Sequence, residues 1–381
     1  MADVGWGEVR ARRVARSSLD ERASADRLVE VAGALCGVHA QVQASAELQL
    51  AARLEGVVQA DVRAALWETR TLAKAWTVRG TLHLHPADEL PLWLAARRAV
   101  VGSTDSGLPA WPDPAGVVHS ALDASEVEAV RAAVWEVLDG RCLLRDELAE
   151  EVVDRVGAAP RERLRSGFAF FLDELCQGPP QGSRITLVRP DQWIDGWREV
   201  TDLDGALREA CRRFLHAYGP ARPGDFRQWC GSTAFKVADA RALFESLGDE
   251  LEEIRVADRA CFVLRGDQSF PEQSHQVRLL PEYDAYVMGF RERDELIPQP
   301  VREQIAAHGR GRYEGPAAVR LVLVDGIAAG LWQRRKRGRR LELEVRLVRR
   351  VGKSDREELR REAERLGAFL GLEPVLSVGS I

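Results

Sequence analysis

The chain has 381 residues, 45% of them hydrophobic and 30% charged, with a formal net charge of −5. This composition is typical of a globular protein and excludes wholesale disorder, and no apolar run approaches the roughly 18 residues that a membrane-spanning helix needs. The length suffices for two or three domains. The acidic balance argues only weakly against a nucleic-acid partner, because binding depends on where the charges lie.

The N-terminus and the cysteines bear on location and redox state. Residues 1–22 carry acids and no apolar segment, so they match neither a signal peptide nor a transit peptide and predict a cytoplasmic protein. The six cysteines are scattered without any C-x-x-C pair, which indicates reduced thiols and neither a disulfide framework nor a zinc site. We expect no metal site and no cofactor.

The order of elements over residues 1–104 predicts a winged-helix unit. Apolar residues recur at helical spacing over residues 25–35. A second helix is predicted after Ser45, as its N-cap, and a third over about residues 60–68. The alternating segment TLAKAWTVRGTLHLH then predicts a β-pair, and helices followed by a β-pair are typical of a winged helix.

The same order of elements recurs twice more. A linker rich in Pro, Gly, Ser and Asp covers residues 103–116, and residues 115–200 then predict helices, a turn at QGPPQG and a strand at RITLVRPDQWI. The helices of this repeat are predicted over about residues 125–138, 145–155 and 161–176. Residues 201–270 predict three further helices and a two-stranded wing. We therefore interpret the chain as carrying three diverged winged-helix repeats.

Residues 275–381 change character. A helix is predicted over about residues 355–370, and turns are predicted at Asp325-Gly326 and near Gly338. The strands of this part are predicted in QVRLLPEYDAYVMGF, AAVRLVLVDGIAAGLW and RRLELEVRLV. These elements predict a small β-barrel or sheet appended to the helical repeats. The fold class is predicted as α+β, mainly helical.

Residues 333–340, QRRKRGRR, carry six positive charges at a predicted hairpin tip. The six cations are Arg334, Arg335, Lys336, Arg337, Arg339 and Arg340. One interpretation is a solvated strand edge guarded by charge. Guarding needs one or two charges, however, and six would repel one another without an anionic partner. A thin basic hairpin fits a groove of duplex DNA, whose phosphates supply that partner.

Gln41 and Gln43 flank Val42 directly after the first predicted helix. If this segment is extended, the two amides point to one face while Val42 anchors the segment in the core, because strand side chains alternate. The alternative is a pair of ordinary surface glutamines in a loop. The position at a helix–helix turn of the first repeat favours the first interpretation.

The chain resembles the AlkZ/YcaQ-type winged-helix DNA glycosylases of bacteria. The resemblance spans most of the chain. Its matching segments are Gln41-Val42-Gln43, VRGTLHL, AYGPARPGDFRQWCG, LLPEYDAYVMGF and VLVDGIAAGLWQRR. Some members have Asp in place of the second Gln, so this chain is more similar to the azinomycin-resistance branch. Both branches are associated with alkylated bases, some of them interstrand crosslinks.

The resemblance implies an architecture and a site. It implies three tandem winged helices and a β-barrel in a C-shaped, DNA-binding arrangement. It implies that Gln41 and Gln43 are the catalytic element and that the basic hairpin 333–340 contacts double-stranded DNA. The linker and the repeated order of elements divide the chain into residues 1–104, 115–200, 201–270 and 275–381, the last of which carries the hairpin.

The chemistry of the two amides agrees with that activity. An amide is too weakly basic to act as a strong general base, but Gln41 and Gln43 can orient a water and present carbonyl oxygens to a developing oxocarbenium sugar. Such help suffices only for a base that is already cationic, such as N7-alkylguanine or N3-alkyladenine. No lysine lies near the motif in sequence, which favours simple hydrolysis to an abasic site over a Schiff-base mechanism.

Other residues carry weaker signals. His83 and His85 form an H-x-H pattern, but no third metal ligand is evident, so we expect structural or DNA-contacting histidines. Arg79 could reach a DNA phosphate or cover its strand. Residues 283–286, with two tyrosines and Asp284, are either functional or part of a buried strand.

Two functions are weighed. The first is a monofunctional glycosylase acting on alkylpurines in DNA, including bulky or crosslinked adducts made by an antibiotic. The alternative is a winged-helix transcription regulator without catalytic activity. Such regulators usually carry one DNA-binding domain per protomer and bind a palindromic site as dimers. Three winged units in one chain need no such pairing, so we expect a monomer and favour the glycosylase.

Overall fold

The structure is a computed structural model of the chain. It describes residues 3–102, 107–112, 116–158, 160–166, 174–307, 311, 314–348, 350 and 352–380. Half of the predicted linker over 103–116 and the central part of the helix predicted over 161–176 lie outside these residues.

Short strands and helices alternate over residues 3–102. The helices are α1 (Trp6–Arg16), α2 (Leu28–Ala34), α3 (Gln43–Ala51), α4 (Gln59–Trp67) and α5 (Leu90–Val101). The strands are β1 (Asp3–Val4), β2 (Ala23–Ser24), β3 (Val38–His39), β4 (Leu54–Glu55), β5 (Leu72–Trp76) and β6 (Leu82–Pro86). The pair β5–β6 is antiparallel, which confirms the predicted β-pair.

Residues 107–264 contain two further groups of helices with strands between them. The helices are α6 (Ala124–Val137), α7 (Arg145–Val156), α8 (Arg161–Ser166), α9 (Pro190–Trp193), α10 (Leu203–Tyr218), α11 (Pro223–Cys230) and α12 (Val237–Leu247). The strands are β7 (Trp111–Pro112), β8 (Val118–His119), β9 (Leu143–Leu144), β10 (Cys176–Gln181), β11 (Arg184–Val188), β12 (Leu251–Val256) and β13 (Arg259–Leu264). The strand pair predicted here is confirmed as the antiparallel pair β12–β13, but β1 pairs with β12 in parallel, so the sheet has three strands where a two-stranded wing was predicted.

The C-terminal residues combine one sheet with helices. The strands are β14 (Val277–Leu280), β15 (Leu321–Val324), β16 (Ile327–Arg337), β17 (Arg340–Leu347) and β18 (Glu373–Ser380). The helices are α13 (Ala285–Gly289), α14 (Arg293–Leu296), α15 (Gln299–Ala307) and α16 (Lys353–Leu370). The turns at Asp325-Gly326 and Gly338 lie where they are predicted. The α+β fold class is confirmed.

The described residues pack into two compact units. The first comprises residues 1–64, 211–229 and 237–381, and the second residues 65–210 and 230–236. The division into these two units does not test the predicted division into three winged helices and a C-terminal domain, which stays a prediction. In the part of the chain that the structure describes, no helix is both long enough and apolar enough to cross a membrane.

The sheet of the first unit is open, so the prediction of a β-barrel is wrong for the described residues. Its strand order is β14-β15-β16-β17-β18, which leaves β14 and β18 as edges. Because β17 and β18 run parallel, the chain crosses over between them through α16. This helix contacts both edge strands and buries Leu359, Ala363 and Phe369. A helix that lies between two edges prevents them from pairing.

Two local predictions are also wrong. The strand predicted over QVRLLPEYDAYVMGF ends at Leu280, because Pro281 cannot donate to a ladder, and residues 285–289 form α13 instead. Residues 177–181 of the segment QGPPQG, which was predicted as a turn, belong to β10, and the chain turns only at residues 182–183. Only Cys176 of β10 pairs with β5, so Pro179 and Pro180 remove no hydrogen bond on that side.

Each unit has its own core. In the second unit α6 and α7 pack around Val130, Val134 and Leu148. In the first unit one cluster joins Ala52, just after α3, with Leu280 of β14 and other apolar side chains of the sheet and of α13. The end of α3 is therefore held against the sheet, which leaves the start of that helix to be placed by polar contacts.

Candidate active site

Helix α3 begins at Gln43, three residues before the position that the sequence predicts. Val42 is the N-cap, with an extended backbone (φ −109°, ψ 107°), and its carbonyl oxygen accepts from the amides of Ser45 at 3.0 Å and Ala46 at 3.2 Å. The prediction of Ser45 as the cap is wrong, because its hydroxyl donates to the backbone carbonyl of Glu282. That contact ties the first turn of α3 to the segment that follows β14.

The two glutamines are both accessible at this helix start. Gln41 is exposed and Gln43 is half-buried. The side chain of Val42 is 37% exposed, so the prediction that it anchors the segment in the core is wrong. Strand alternation does not extend through this motif because the backbone turns into a helix at Gln43.

Glu47 lies one helical turn after Gln43 and is 0% exposed. Gln43 Nε2 donates to Glu47 Oε1 at 3.4 Å, as expected for side chains at i and i+4. Helix α4 supplies two further donors, namely Gln59 Nε2 to Oε2 at 2.6 Å and Arg63 Nε to Oε1 at 3.0 Å. The sequence reasoning missed Glu47. The available signal was its position four residues after Gln43 on the same helix face.

A buried polar network, formed by Gln49 and Arg53, holds the buried face of α3 in place. Gln49 Nε2 donates to the His39 carbonyl at 2.9 Å, and Gln49 Oε1 accepts from the Ala285 amide at 3.1 Å, so one side chain bridges β3 and α13. Arg53 pairs with Asp284 through two hydrogen bonds of 2.8 and 2.7 Å. Both of these side chains are 0% exposed. The segment containing Gln41 and Gln43 is thus held on its N-terminal side through the His39 carbonyl and on its C-terminal side through α3, which Gln49 and Arg53 attach to the segment around α13.

Residues 283–286 have structural roles in this network. Asp284 caps α13 by accepting from the Tyr286 amide at 2.9 Å, besides pairing with Arg53. The Tyr286 hydroxyl donates to the Gly326 carbonyl at 3.0 Å, and burial raises the pKa of this phenol. Tyr283 stacks obliquely near His39, with ring centroids 5.1 Å apart, and its hydroxyl donates to Glu314.

The basic cluster lies at a hairpin tip, as predicted. Strands β16 and β17 pair from Gly330–Leu347 to Arg337–Arg340, and Gly338 turns the chain with φ +59°. The exposed cations of the tip are Arg335, Lys336, Arg337, Arg339 and Arg340. Buried side chains of β17, such as Leu341 and Leu343, anchor the hairpin on one face.

Arg334 differs from the other five cations. It is half-buried on the face of Leu343, and burial lowers the pKa of its guanidinium, with Arg320 lowering it further while Glu282 and Glu47 raise it. Glu282 itself accepts from Arg320 at 2.7 and 3.0 Å. Arg334 therefore brings the root of the hairpin into the electrostatic field of the carboxylate that contacts Gln43.

The two remaining predicted residues belong to the second unit. Arg79 is half-buried in the turn between β5 and β6. His83 is 0% exposed, and its Nδ1 lies 2.9 Å from the Thr81 carbonyl oxygen, which favours a structural role over contact with DNA. No group of His, Cys, Asp and Glu side chains in the described ranges is arranged to hold a metal ion.

Comparisons with known proteins define the class. The model of the family described as DNA glycosylase AlkZ-like matches residues 32–369. The chain therefore belongs to the AlkZ-like DNA glycosylase family, as its resemblance implies, and it is an enzyme of the DNA glycosylase class. A regulator without catalytic activity is not favoured.

Both the curated relative and the solved structure that are similar to this chain come from Streptomyces sahachiroi. The interstrand DNA cross-link repair glycosylase is 32% identical over 342 residues, which cover 87% of this chain and 88% of that protein. The solved structure of the DNA glycosylase AlkZ superposes with a TM-score of 0.78 at 28% identity and covers 99% of this chain and 100% of that chain.

Proposed function

We propose that this protein hydrolyses the N-glycosidic bond of cationic alkylpurines in double-stranded DNA and leaves an abasic site. The substrates are N7-alkylguanine and N3-alkyladenine, including bulky adducts and interstrand crosslinks made by a DNA-alkylating antibiotic. The similar cross-link repair glycosylase supports the crosslink part of this proposal. The enzyme acts as a monomer of three tandem winged-helix units and an open C-terminal sheet, without a cofactor.

The observation that carries the proposal is the pair of accessible amides at the start of α3. Gln41 and Gln43 orient the attacking water and place carbonyl oxygens beside the sugar as positive charge develops on it. No residue needs to protonate the leaving base, because alkylation has already made it cationic. An unmodified purine would require a general acid, which neither amide can provide. The substrate class follows from that limitation.

The basic hairpin holds the duplex. Its exposed tip contacts DNA phosphates in a groove, and half-buried Arg334 contacts a phosphate nearer to the glutamines. Arg79 in the second unit is a further candidate phosphate contact. Because these contacts neutralise phosphates without reading base edges, we expect little sequence preference.

Simple hydrolysis is proposed because a lyase step needs an amine that forms a Schiff base with the opened sugar. The residues that make up the first unit include two lysines, Lys336 on the hairpin and Lys353 at the start of α16. Neither is near the Gln41–Gln43 motif in sequence. We expect borohydride to trap no covalent complex between the protein and a damaged duplex.

The test is a duplex oligonucleotide with one N7-alkylguanine, incubated with the protein and then treated with mild base. We expect strand cleavage at the modified guanine above the enzyme-free background, and a loss of roughly 10²–10³-fold in rate for Gln41→Ala and for Gln43→Ala. Gln299→Ala is the matched control, because Gln299 also begins a nine-residue helix, α15. Failure to release the base from this duplex and from a crosslinked one would contradict the proposal.

A further inference from the structure

We infer that Glu47 is a positioning residue, which fixes the amide of Gln43 in the orientation that base excision requires. This inference rests on the proposed function. Glu47 does not itself reach the surface, because it is 0% exposed. Its effect on the reaction passes through Gln43, whose Nε2 lies 3.4 Å from Glu47 Oε1.

The contact decides which end of the Gln43 amide is presented to the substrate. A carboxylate paired with Arg63 offers only acceptors, so it selects the NH₂ group of a neighbouring amide and repels the carbonyl oxygen. Both groups are attached to the same planar carbon, so the carbonyl oxygen of Gln43 faces away from Glu47. Without this partner the amide could rotate and present donors to the developing cation.

The carboxylate also acts on the charge of that oxygen. A hydrogen bond from the amide nitrogen to an anion polarises the whole amide and makes its carbonyl oxygen more negative. An oxygen with greater negative charge stabilises an oxocarbenium sugar better. Orientation and polarisation therefore favour the same step.

Glu47 is rigid enough to serve as a reference point. Gln59 and Arg63 hold its two oxygens at 2.6 and 3.0 Å, and both donors come from α4. Buried acids are rare unless they are paired, and here α4 already supplies the pairing. The contact with Gln43 is thus not needed to satisfy Glu47. It constrains Gln43, the only member of this cluster that lies in the Gln-x-Gln motif.

The decisive variant is Glu47→Met, which fills a similar volume without an acceptor. We expect single-turnover excision of N7-alkylguanine to fall about 10- to 100-fold, the worth of one hydrogen bond to a charged group, while affinity for the undamaged duplex stays within about twofold. Glu47→Gln keeps an acceptor oxygen but loses the negative charge, so its rate should lie between those of Glu47→Met and the wild type. Melting temperatures of both variants separate this loss from unfolding.

A double variant tests whether Glu47 acts through Gln43. Gln43→Ala combined with Glu47→Met should be no slower than Gln43→Ala alone, because the partner that Glu47 positions is already gone. Rates that multiply would overturn the inference, as would wild-type excision by Glu47→Met. The matched control is Glu303→Met, which breaks the equivalent i, i+4 contact of 3.0 Å from Gln299 on α15 and should leave excision unchanged.

A second readout does not depend on activity. The side-chain ¹⁵N amide signal of Gln43, assigned by its loss in Gln43→Ala, should shift in Glu47→Met and much less in Glu47→Gln. If that signal shifts but the wild type releases no alkylpurine, the proposed function fails while the contact stands. If the wild type excises and neither the signal nor the rate changes in Glu47→Met, the positioning role is wrong.

Discussion

The start of α3 and the tip of the basic hairpin are built in opposite ways. The glutamines lie over a buried network in which Glu47, Gln49 and Arg53 all make hydrogen bonds. The cations of the tip stand in solvent, and Arg337 has an ion pair of 3.1 Å with Glu342 on the neighbouring strand. One region is held by many directional contacts, the other by the strand pairing beneath it.

The contrast follows from what each region is proposed to do. Orienting a water against one sugar carbon needs geometry within about 0.5 Å, which only a supported side chain maintains. Attraction to a phosphate backbone acts over a Debye length of about 8–10 Å, so flexible cations perform it equally well. Substitutions in the two regions should therefore change different measurements.

The largest effect on stability is expected for Arg53→Met. This change leaves the carboxylate of Asp284 buried and unpaired, and it should lower the free energy of unfolding by about 3–5 kcal/mol. Chemical denaturation followed by circular dichroism measures it. Arg335→Met on the hairpin tip is the matched control and should change stability by less than about 0.5 kcal/mol. Similar denaturation midpoints for the two variants would show that the buried pair Arg53–Asp284 contributes no more to stability than an exposed cation of the tip does.

An intermediate effect is expected for Gln49→Leu. The substitution leaves the His39 carbonyl and the Ala285 amide without their present partner, at about 1–3 kcal/mol of stability. Because His39 lies two residues before Gln41, excision should also slow in the fraction that remains folded. A variant that is destabilised yet excises at the wild-type rate would show that this tether supports the fold but not the site.

A smaller, pH-dependent effect is expected for Glu282→Gln. Burial is the largest single influence and raises the pKa of Glu282, but the hydrogen bonds and charge of Arg320, with smaller contributions from a backbone hydrogen bond and the charge of Arg334, together outweigh it, so the pKa is lowered overall. A carboxyl whose pKa is lower in the folded state contributes stability above its unfolded value of about 4.3, and that stability is lost as the pH falls through the folded value.

Denaturation of the wild type and Glu282→Gln should therefore differ by about 1 kcal/mol at pH 6, and by progressively less below pH 4. Denaturation midpoints measured at half-unit steps of pH check this. A difference that stays constant down to pH 3 would mean that the Glu282–Arg320 pair is not the source of the stability.

The smallest effect on stability, with a clear effect on binding, is expected at the tip. The triple variant changes Arg335, Lys336 and Arg337 to Ala. Each lost phosphate contact should reduce the slope of log affinity against log salt by about 0.9, while single-turnover excision at saturating DNA stays unchanged. Fluorescence anisotropy at several salt concentrations measures the slope.

The control for the tip variant is a second triple variant, which removes the same number of positive charges from another part of the protein. It replaces three exposed cations of α16, namely Lys353, Arg356 and Arg360, with Ala. If this variant lowers the salt slope as much as the tip variant does, the total charge of the protein drives binding and the hairpin has no special part in it.

Local patterns in the sequence predicted much of the fold. Helical periodicity located α2, α4 and α6 to within a few residues, and the turn residues Asp325-Gly326 and Gly338 located the hairpins of the C-terminal sheet. These features depend on neighbours a few positions apart, so a single segment contains the information. The six cations of residues 333–340 could be read in the same way.

The errors occurred where distant segments decide the local structure. Ser45 is not a cap, because its hydroxyl is used by the carbonyl of Glu282, 237 residues away. The barrel was predicted because strand patterns do not reveal whether two edges will meet or be separated by α16. Glu47 was overlooked because a glutamate at i+4 is ordinary on a helix until Gln59 and Arg63 enclose it.

The sequence by itself determined several helices, such as α2, α4 and α6, the hairpins of the C-terminal sheet, the position of the positive charge and the two glutamines, because each of these features depends on contiguous residues. Only the tertiary structure decided which end of α3 reaches the surface and which carboxylate lies beneath Gln43. Those outcomes depend on buried pairs such as Arg53 and Asp284, 231 residues apart. Burial makes such polar contacts obligatory, because the free-energy penalty of an unpaired polar group in the interior is large compared with the small net free energy of unfolding of a protein.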